Sequence, residues 1–449
     1  TLNVNGSANY LKYYGSKGVD ELSISGAVSN SHIDLGEGGN SFVARNARGS
    51  LQKVSNTNLL ASGDASTSLD MGAFVYGTAG NAFDLGAGVN EINMGSVSGK
   101  GTYGLSIVMG YGAATQQELN VNGSANYLKY TGSSGADTIN ISGGVANSTF
   151  NLGEGDNEFN AVKTKTYVTN TAIVATGAGS NTINVYNLNT TKTGYSGIVL
   201  GDGNDTVNII NAMSGNTVVD MGGGNDNDFT AKSITGTSNT NRAAVLSRGG
   251  GTFTVKSGNK ALFDFSESSQ AVTLNINSTL VDSGIKLGSG DSYIGPDGET
   301  GSKADISGTL INGGGGAVTI NAGKLTSSTI NMDSTNAETT SSLDLTLTGL
   351  MKSTLVTLGS GASSINATAG MTSASIVRSH AGSLVLESGN VQNSLIELSG
   401  EGVDDINVTG NLHARIILGA GGDTISATGT ISGELTADDD LVVNAGALG

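Results

Sequence analysis

A short apolar-glycine motif recurs along the whole chain and limits the possible fold more than any other feature. Its fullest copy is LGDGNDTVNI at 200–209, where an apolar strand end leads into a Gly-x-Gly turn, an acidic residue and a strand with alternating apolar positions. Related copies are LGEGGNSF at 35–42, LGAGVNEI at 85–92, LGEGDNEF at 152–159 and LGAGGDTI at 418–425. Spacing between neighbouring turns is about 20 residues in the regular parts, which is typical of a repeat protein.

A longer repeat is also visible. Residues 2–46 match residues 119–163 at an offset of 117, with 29 identities in 45 positions when the two stretches are compared residue by residue. The first twelve positions, LNVNGSANYLKY, are identical. Residues 119–163 are therefore a duplicate of residues 2–46.

Apolar residues alternate with polar ones on both sides of the glycine turns. Examples are Ile139 and Ile141 after one turn, and Phe150 and Leu152 before the next. This period of two predicts short strands with one buried face. Each unit is expected to hold two short strands and two turns, and such a unit buries its apolar face only by stacking on its neighbours. The sequence therefore predicts an all-β fold, a parallel β-solenoid (β-helix or β-roll-like) with about 20 residues per coil.

Composition supports this fold class and excludes several functions. Glycine accounts for 70 of the 449 residues, and the chain has one proline and no tryptophan, which disfavours large cores built on aromatic residues. The absence of cysteine excludes disulfides, zinc-thiolate sites and thiol catalysis. A net charge of -17 disfavours nucleic acid as a partner. No stretch is long and apolar enough to predict a membrane-spanning helix.

Four segments follow from the regularity of the pattern. Residues 1–117 form a first solenoid block, and residues 118–229 form a second block that begins as its duplicate. The rhythm breaks in 230–310, which contains Pro296, so we expect longer loops or a bend there. Residues 311–449 return to the regular pattern.

The glycine turns carry the chemistry most suggestive of function. G-x-G-x-D-x-U, with U an aliphatic residue, occurs at 201–207, 400–406 and 419–425. Glycine permits positive φ and lets carbonyl oxygens converge, and an adjacent aspartate adds a charged oxygen. Calcium takes six to eight such oxygens. Neighbouring acidic turns are the best candidate sites: Asp137 with Glu154 and Asp156, Asp205 with Asp226, and Asp404 with Asp423. The full set of predicted metal ligands is Asp137, Glu154, Asp156, Asn157, Gly201, Asp202, Gly203, Asp205, Asp226, Asp291, Asp404 and Asp423.

These turns resemble the hemolysin-type calcium-binding repeat of RTX proteins, whose nonapeptide has the same Gly-x-Gly-x-Asp core. The resemblance implies bound Ca²⁺ and a secreted bacterial protein of the surface-layer or biofilm-matrix type. Here the motif occurs once per coil, on one edge only, and Asn often replaces Asp, as at Asn157 and Asn181. The alternative interpretation is that the turns are purely structural, because Gly-Asn corners and stacked Asn side chains need no metal.

Residues suited to catalysis are sparse. His32, His380 and His413 lie far apart in sequence, and no basic residue recurs beside a pair of carboxylates. We therefore predict that the protein is not an enzyme, with a polysaccharide-active β-helix enzyme as the least favoured alternative.

The predicted function is structural. The chain starts at Thr1 without a signal-peptide pattern, which suggests a processed or excised piece. Strand-like LNVNG at its beginning and DLVVNAG at its end lack an obvious cap, so we expect head-to-tail self-association into a homopolymer on the bacterial surface. Cell-surface or matrix glycans are a further expected partner. The alternative function is the stalk or ligand-binding module of a large RTX-like adhesin, with a pocket in 230–310.

Overall fold

The computed structural model describes residues 1–75, 81–100, 103–110, 114–192, 197–298, 303–332 and 340–449. These residues form strands, turns and bends, and no helix occurs among them. About 20 coils with a spacing of about 21 residues stack through parallel strands. The predicted all-β parallel β-solenoid is therefore confirmed.

The chain divides into two compact units, Thr1–Gly224 and Asn225–Gly449, and each is described by itself. The first unit contains β1 (Leu2–Val4), β2 (Ala8–Asn9), β3 (Lys12–Tyr14), β4 (Glu21–Ile24), β5 (Val28–Ser29), β6 (His32–Asp34), β7 (Ser41–Ala44), β8 (Val54–Ser55), β9 (Asn58–Leu60), β10 (Ser68–Asp70), β11 (Phe74–Val75), β12 (Asn81–Leu85), β13 (Asn90–Met94), β14 (Val97–Ser98), β15 (Leu105–Met109), β16 (Gln117–Val121), β17 (Ala125–Asn126), β18 (Leu128–Thr131), β19 (Asp137–Ile141), β20 (Val145–Ala146), β21 (Thr149–Gly153), β22 (Glu158–Ala161), β23 (Val168–Thr169), β24 (Ala172–Ala175), β25 (Thr182–Thr190), β26 (Gly197–Val199), β27 (Thr206–Gly215) and β28 (Val218–Asp220).

The second unit contains β29 (Asn227–Thr235), β30 (Ala243–Leu246), β31 (Gly251–Asn259), β32 (Ala261–Asp264), β33 (Val272–Val281), β34 (Gly284–Lys286), β35 (Ser292–Gly295), β36 (Asp305–Ser307), β37 (Leu310–Asn312), β38 (Ala317–Ala322), β39 (Leu325–Thr326), β40 (Thr329–Asn331), β41 (Ser342–Leu347), β42 (Met351–Lys352), β43 (Leu355–Thr357), β44 (Ser363–Ala367), β45 (Met371–Thr372), β46 (Ser375–Arg378), β47 (Leu384–Ser388), β48 (Val391–Leu398), β49 (Asp404–Val408), β50 (Leu412–Leu418), β51 (Asp423–Ser432), β52 (Leu435–Ala437) and β53 (Leu441–Leu448).

Most coils have three strands where the sequence predicts two. The segment GGVANS at 143–148, predicted as a turn, contains the two-residue strand β20. Val145 of this strand is buried and stacks on Ala125 and Val168 of the neighbouring coils. A two-residue strand is too short to show alternation, so the pattern alone could not reveal it.

The core consists of like residues stacked on like. In the first unit one buried column runs through Leu22, Phe42, Leu69, Ile92, Leu119, Ile139, Phe159, Ile183 and Val207. In the second unit the equivalent column runs from Phe229 and Phe253 to Ile406 and Ile425. Burying each such side chain contributes about 1.5–3 kcal/mol, so the columns supply the main favourable energy.

Regular pairing continues through the part of 230–310 that the structure describes. The strands β29, β31 and β33 are nine or ten residues long and pair in parallel. Here the first and second strands of a coil have merged into one, which explains why the turn signals disappear from the sequence. Residues 299–302 of the predicted irregular segment lie outside the described residues.

Glycines of the stacked turns are required by close backbone contact. A Cβ at Gly203 would lie 2.0 Å from the carbonyl oxygen of Gly179, and a Cβ at Gly201 would lie 2.0 Å from that of Gly177. Neither Gly201 nor Gly203 has a positive φ. The expected reason, backbone conformation, is therefore wrong at these two positions, where the neighbouring turn leaves no space.

We expect Gly203→Ala to destabilise the protein by about 1–3 kcal/mol, because the added methyl group must push two turns apart. Gly39→Ala is the matched control, since a Cβ there would lie 3.5 Å from the nearest atom, in a turn of the same type. Urea unfolding followed by circular dichroism measures both variants. If the two variants are equally stable, close packing between turns is not the reason why glycine recurs at these positions of the chain.

Candidate calcium turns and the buried polar ladder

A row of buried polar side chains runs along the glycine-turn corner of the first unit. Each member stands two residues before the first buried apolar residue of its coil, and we call the row the inner ladder. Its members are Asp20, Asn40, Thr67, Asn90, Gln117, Asp137, Asn157, Asn181 and Asp205. From Gln117 to Asp205 the ladder residues are the polar residues that follow the glycine turns in the sequence. The sequence pattern did not show that their side chains point inward.

Most members of the inner ladder accept a hydrogen bond from a backbone N–H of the coil before them. The backbone N–H of Asp137 donates to Asn157 Oδ1 at 2.9 Å, and that of Asn181 donates to Asp205 Oδ1 at 2.7 Å. Asn157 Nδ2 also donates to Asn181 Oδ1 at 2.9 Å. Buried polar groups are tolerated when they are paired in this way, so the ladder links coils without exposing the core to water.

Asparagine members also close their own turns. Asn157 Nδ2 donates to the carbonyl oxygens of Glu154 and Gly155, at 3.2 and 3.0 Å. Asn90 makes the same contacts with Gly86 and Gly88. These are the converging carbonyls that a calcium ion would use, and a neutral amide already donates to one lone pair of each. The donor set at Asn157 therefore fits a calcium ion less well than that of an aspartate turn.

Asp205 fits calcium better than the asparagine members do. A carboxylate is acceptor-only when ionised, so it cannot close the LGDGND turn as asparagine does. Its Oδ1 accepts hydrogen bonds from Asn181 N and Nδ2, at 2.7 and 2.8 Å. Burial raises the pKa of Asp205 to about 6, and the nearby charge of Asp202 adds to the rise. A cation would relieve this cost, with Asp202, Asp205 and carbonyls of Gly201 and Gly203 as its ligands.

Asp137 is held by its own turn instead. Ser133 donates its backbone N–H to Asp137 Oδ2 at 2.8 Å and its hydroxyl to Oδ1 at 2.9 Å. Burial raises the pKa of Asp137 to about 6 in spite of these bonds. Burial and the charge of Asp137 also raise the pKa of Tyr130 well above its ordinary value. The predicted partners Glu154 and Asp156 are exposed, and Asp156 Oδ1 accepts the backbone N–H of Ser180.

Two predicted ligands of the second unit, Asp226 and Asp291, each precede by one residue the polar side chain that is buried at the start of the strand. Asp226 is exposed and Asn227 is buried, because β29 alternates inward from Asn227 to Phe229. Asp291 is likewise exposed beside the buried Ser292, and its Oδ1 accepts the backbone N–H of Ala317 at 3.0 Å. The expected ladder position at Asp226 is corrected to Asn227. Asp205 and Asp226, predicted as a pair, belong to different units.

Asp404 and Asp423 are brought together as predicted. The backbone N–H of Asp404 donates to Asp423 Oδ1 at 2.9 Å, and both side chains are buried. In this unit the inner ladder is interrupted by apolar residues, among them Leu384, which stacks on Asp404. The pair of carboxylates is thus an acidic stretch within a largely apolar column.

Arg378 is the important residue that sequence reasoning missed. It occupies the buried position between strand and turn that Leu398 fills in the next coil. The Arg378 side chain is 0% exposed, and its Nη2 lies 2.9 and 2.7 Å from Asp404 Oδ1 and Oδ2. Burial raises the pKa of Asp404, and the Arg378 guanidinium opposes that rise. The Arg378 guanidinium therefore already neutralises the charge of Asp404. In the sequence, the signal for this ion pair was an arginine in an otherwise aliphatic column.

A second ladder runs along the outer surface of the first unit. Asparagine Nδ2 groups donate to the Oδ1 of the preceding coil at 2.9–3.0 Å, through Asn93, Asn120, Asn140, Asn160, Asn184 and Asn208. These bonds support the metal-free interpretation of the stacked asparagines. They also stiffen the sheet that carries the inner ladder.

Two grooves cross several coils of the first unit. One, of about 410 Å³, follows the glycine-turn corner past Asn40, Asn90 and Gln117. The other, of about 430 Å³, lies where the third strand of each coil begins, between Asn81 and Thr149. Both are lined by residues from successive coils, so stacking creates them.

Comparisons with known proteins leave the family open. No family model matches the chain, and no curated protein matches it in sequence. Within the described ranges, no three His, Cys, Asp or Glu side chains converge in a way suited to a metal ion. A calcium site would therefore depend on backbone carbonyls. The described part of the chain also offers no helix long and apolar enough to cross a membrane.

We expect Asp205→Asn to raise the melting temperature by about 2–4 °C at pH 7.5 in a chelating buffer, because it removes a buried charge. The folded-state pKa of about 6 lies above the ordinary 3.8. The stabilising effect of a protonated Asp205 is thus present at low pH and lost as pH rises through 6. The gain from the variant should shrink at pH 4.5.

Calcium provides the second arm of that experiment. Added Ca²⁺ should raise the melting temperature of the native chain more than that of Asp205→Asn, with Mg²⁺ at the same concentration as the control. Equal calcium shifts in the two proteins would exclude Asp205 as a ligand.

Arg378→Leu should destabilise the second unit by about 3–5 kcal/mol, because it leaves Asp404 charged and buried. The double variant Arg378→Leu/Asp404→Asn should recover most of the loss, since it restores residue types found at these positions in other coils. Denaturant unfolding of the three proteins tests this. If the double variant is no more stable than Arg378→Leu, the ion pair is not the source of the loss.

Proposed function

We propose that this chain is a structural subunit of an extracellular bacterial assembly: a filament, a surface layer or a biofilm matrix. One observation carries the proposal. Within each unit the described coils contact their neighbours through parallel backbone hydrogen bonds and stacked apolar columns, to which the first unit adds the inner ladder. A contact that one coil makes with the next copy of itself is suited to joining whole chains head to tail.

Features of the exposed surface agree with this role. The acidic side chains Glu154, Asp156 and Asp202 are exposed at two glycine turns that are separated by one further turn. A net charge of -17 keeps separate copies apart in water. We infer that calcium stabilises the assembly at acidic turns, with the Asp205 turn as the best-suited site. Secretion to the cell surface belongs to the same proposal.

Negative-stain electron microscopy of the purified 449-residue chain tests the proposal. We expect filaments or ordered sheets in calcium, and fewer or shorter ones in a chelating buffer, because neutralised turns repel each other less. Magnesium at the same concentration is the control for ionic strength.

Light scattering gives the opposing outcome. A monodisperse monomer at all protein concentrations, with calcium present, would contradict self-assembly. Asp205→Asn separates the two parts of the proposal: it should assemble, but with a weaker response to calcium.

A second candidate function is the stalk or ligand-binding module of a large RTX-like adhesin. The groove between Asn81 and Thr149 favours it, since a surface groove built from several coils can hold a ligand. The groove lies outside the predicted 230–310 segment. Isolated short rods in the micrographs would favour this candidate over the filament subunit.

A further inference from the structure

The groove between Asn81 and Thr149 crosses four successive coils. Its lining comes from β12, β15, β18 and the β20–β21 segment. At a strand spacing of about 4.8 Å, four strands span about 14 Å. The groove volume of about 430 Å³ falls within the range of small-molecule sites. A short oligomeric ligand lying across the strands would fit these dimensions.

Tyr127, at the centre of this groove, has a strained backbone. Its φ is +57°, in the left-handed region that bulky residues avoid. The same corner in other coils is occupied by residues that accept this conformation more readily, such as Asn30, Asn56, Asn147 and Asn170. Strain of this kind persists where the surrounding structure enforces it and often marks a functional position.

The preceding coil is shaped to receive Tyr127. A Cβ at Gly99 would lie 2.5 Å from the Tyr127 Cβ, and a Cβ at Gly104 would lie 2.0 Å from the Tyr127 carbonyl oxygen. Only glycine fits at either position without displacing the tyrosine. The half-buried Tyr127 ring is thus held in place on the groove wall by its neighbours.

Asn81 supplies a second observation. The hydroxyl groups of Ser31, Thr57 and Ser148 form a row at this corner. Each accepts a hydrogen bond from a backbone N–H of the coil before it and so links two coils. In the groove this row is interrupted, because Asn81 stacks on Leu105 and Leu105 on Leu128. Asn81 is 5% exposed, and its Oδ1 has no hydrogen-bond partner among the described residues.

We propose that this groove binds a neutral oligosaccharide. The Tyr127 ring offers an apolar face for the C–H face of a sugar, and the amides and hydroxyls of Asn81, Asn147, Ser106 and Thr149 offer partners for its hydroxyl groups. This inference goes beyond the proposed structural role and holds whether or not the chains polymerise.

Other ligand classes fit less well. The groove lining carries one charged side chain, the exposed Lys129, which can balance one negative charge but not a series of them. In the chain as a whole acidic residues outnumber basic ones by 38 to 21, which repels a polyanion. A peptide that binds by adding a strand needs a free strand edge, yet β12, β15 and β18 are each paired on both sides. Uncharged polyhydroxy ligands meet neither obstacle.

Isothermal titration calorimetry of the full chain tests the proposal with cellotetraose, maltotetraose, N-acetylchitotetraose and mannotetraose, and with tetragalacturonate as the anionic control. We expect at least one neutral probe to bind. Tyr127→Asn should weaken that binding at least about fivefold, since it removes the stacking surface. Its melting temperature should stay equal or rise, because asparagine tolerates the left-handed conformation.

Tyr10→Asn is the matched control. Tyr10 has the same conformation, φ +58°, in the duplicated sequence, but it is 73% exposed and lies outside the groove. It should change the melting temperature as Tyr127→Asn does and leave binding unchanged. Asn81→Leu, which removes an unpaired buried amide, should weaken binding without lowering stability.

Three outcomes would overturn the proposal. They are no binding of any neutral probe at millimolar concentration, binding of tetragalacturonate alone, or equal losses of binding in Tyr10→Asn and Tyr127→Asn.

Discussion

Parallel stacking of one coil on the next is the constraint on which the rest of the structure depends. Paired residues of successive coils lie about 4.8 Å apart, so a residue is favoured when it can lie against another of its kind. Leucine, isoleucine and phenylalanine meet this condition in the core. Glycine meets it at the turns, because the Gly179 carbonyl leaves no space for a side chain at Gly203. Asparagine meets it at the inner ladder, because its amide both donates and accepts.

Aspartate at the inner ladder poses a problem of charge, and the chain answers it in different ways. At Asp137 the Ser133 hydroxyl and backbone N–H donate to the carboxylate. At Asp404 the buried Arg378 provides the positive charge. At Asp205 the donors are Asn181 groups, and the pKa is raised to about 6. A bound cation would be a further answer of the same kind, and the calcium proposed above would act in this way at the Asp205 turn.

Much of the architecture could be predicted from alternation alone, because long strands such as β19 repeat the pattern over five residues. The two-residue β20 could not, since it is shorter than one period of any pattern. The ladder position was predicted correctly at Asp205. In the second unit it was predicted at Asp226, one residue before the buried Asn227, because turn and strand carry adjacent polar residues there. Arg378 was missed because the rule that locates the core looks for apolar residues; its signal was its place in an otherwise aliphatic column.

The duplicated sequence shows how far a local motif determines chemistry. Tyr13 and Asp20 recur as Tyr130 and Asp137, each beside a serine of the same turn. The Tyr13 hydroxyl donates to Asp20 at 3.0 Å, and the backbone N–H of Ser16 lowers the pKa of Asp20. Burial instead raises the pKa of Asp137, where Tyr130 is fully buried. The two aspartates therefore acquire opposite pKa shifts, because packing from neighbouring coils differs. In a solenoid the chemistry of a turn belongs to the stack of coils around it, and a repeated motif does not by itself imply a repeated site.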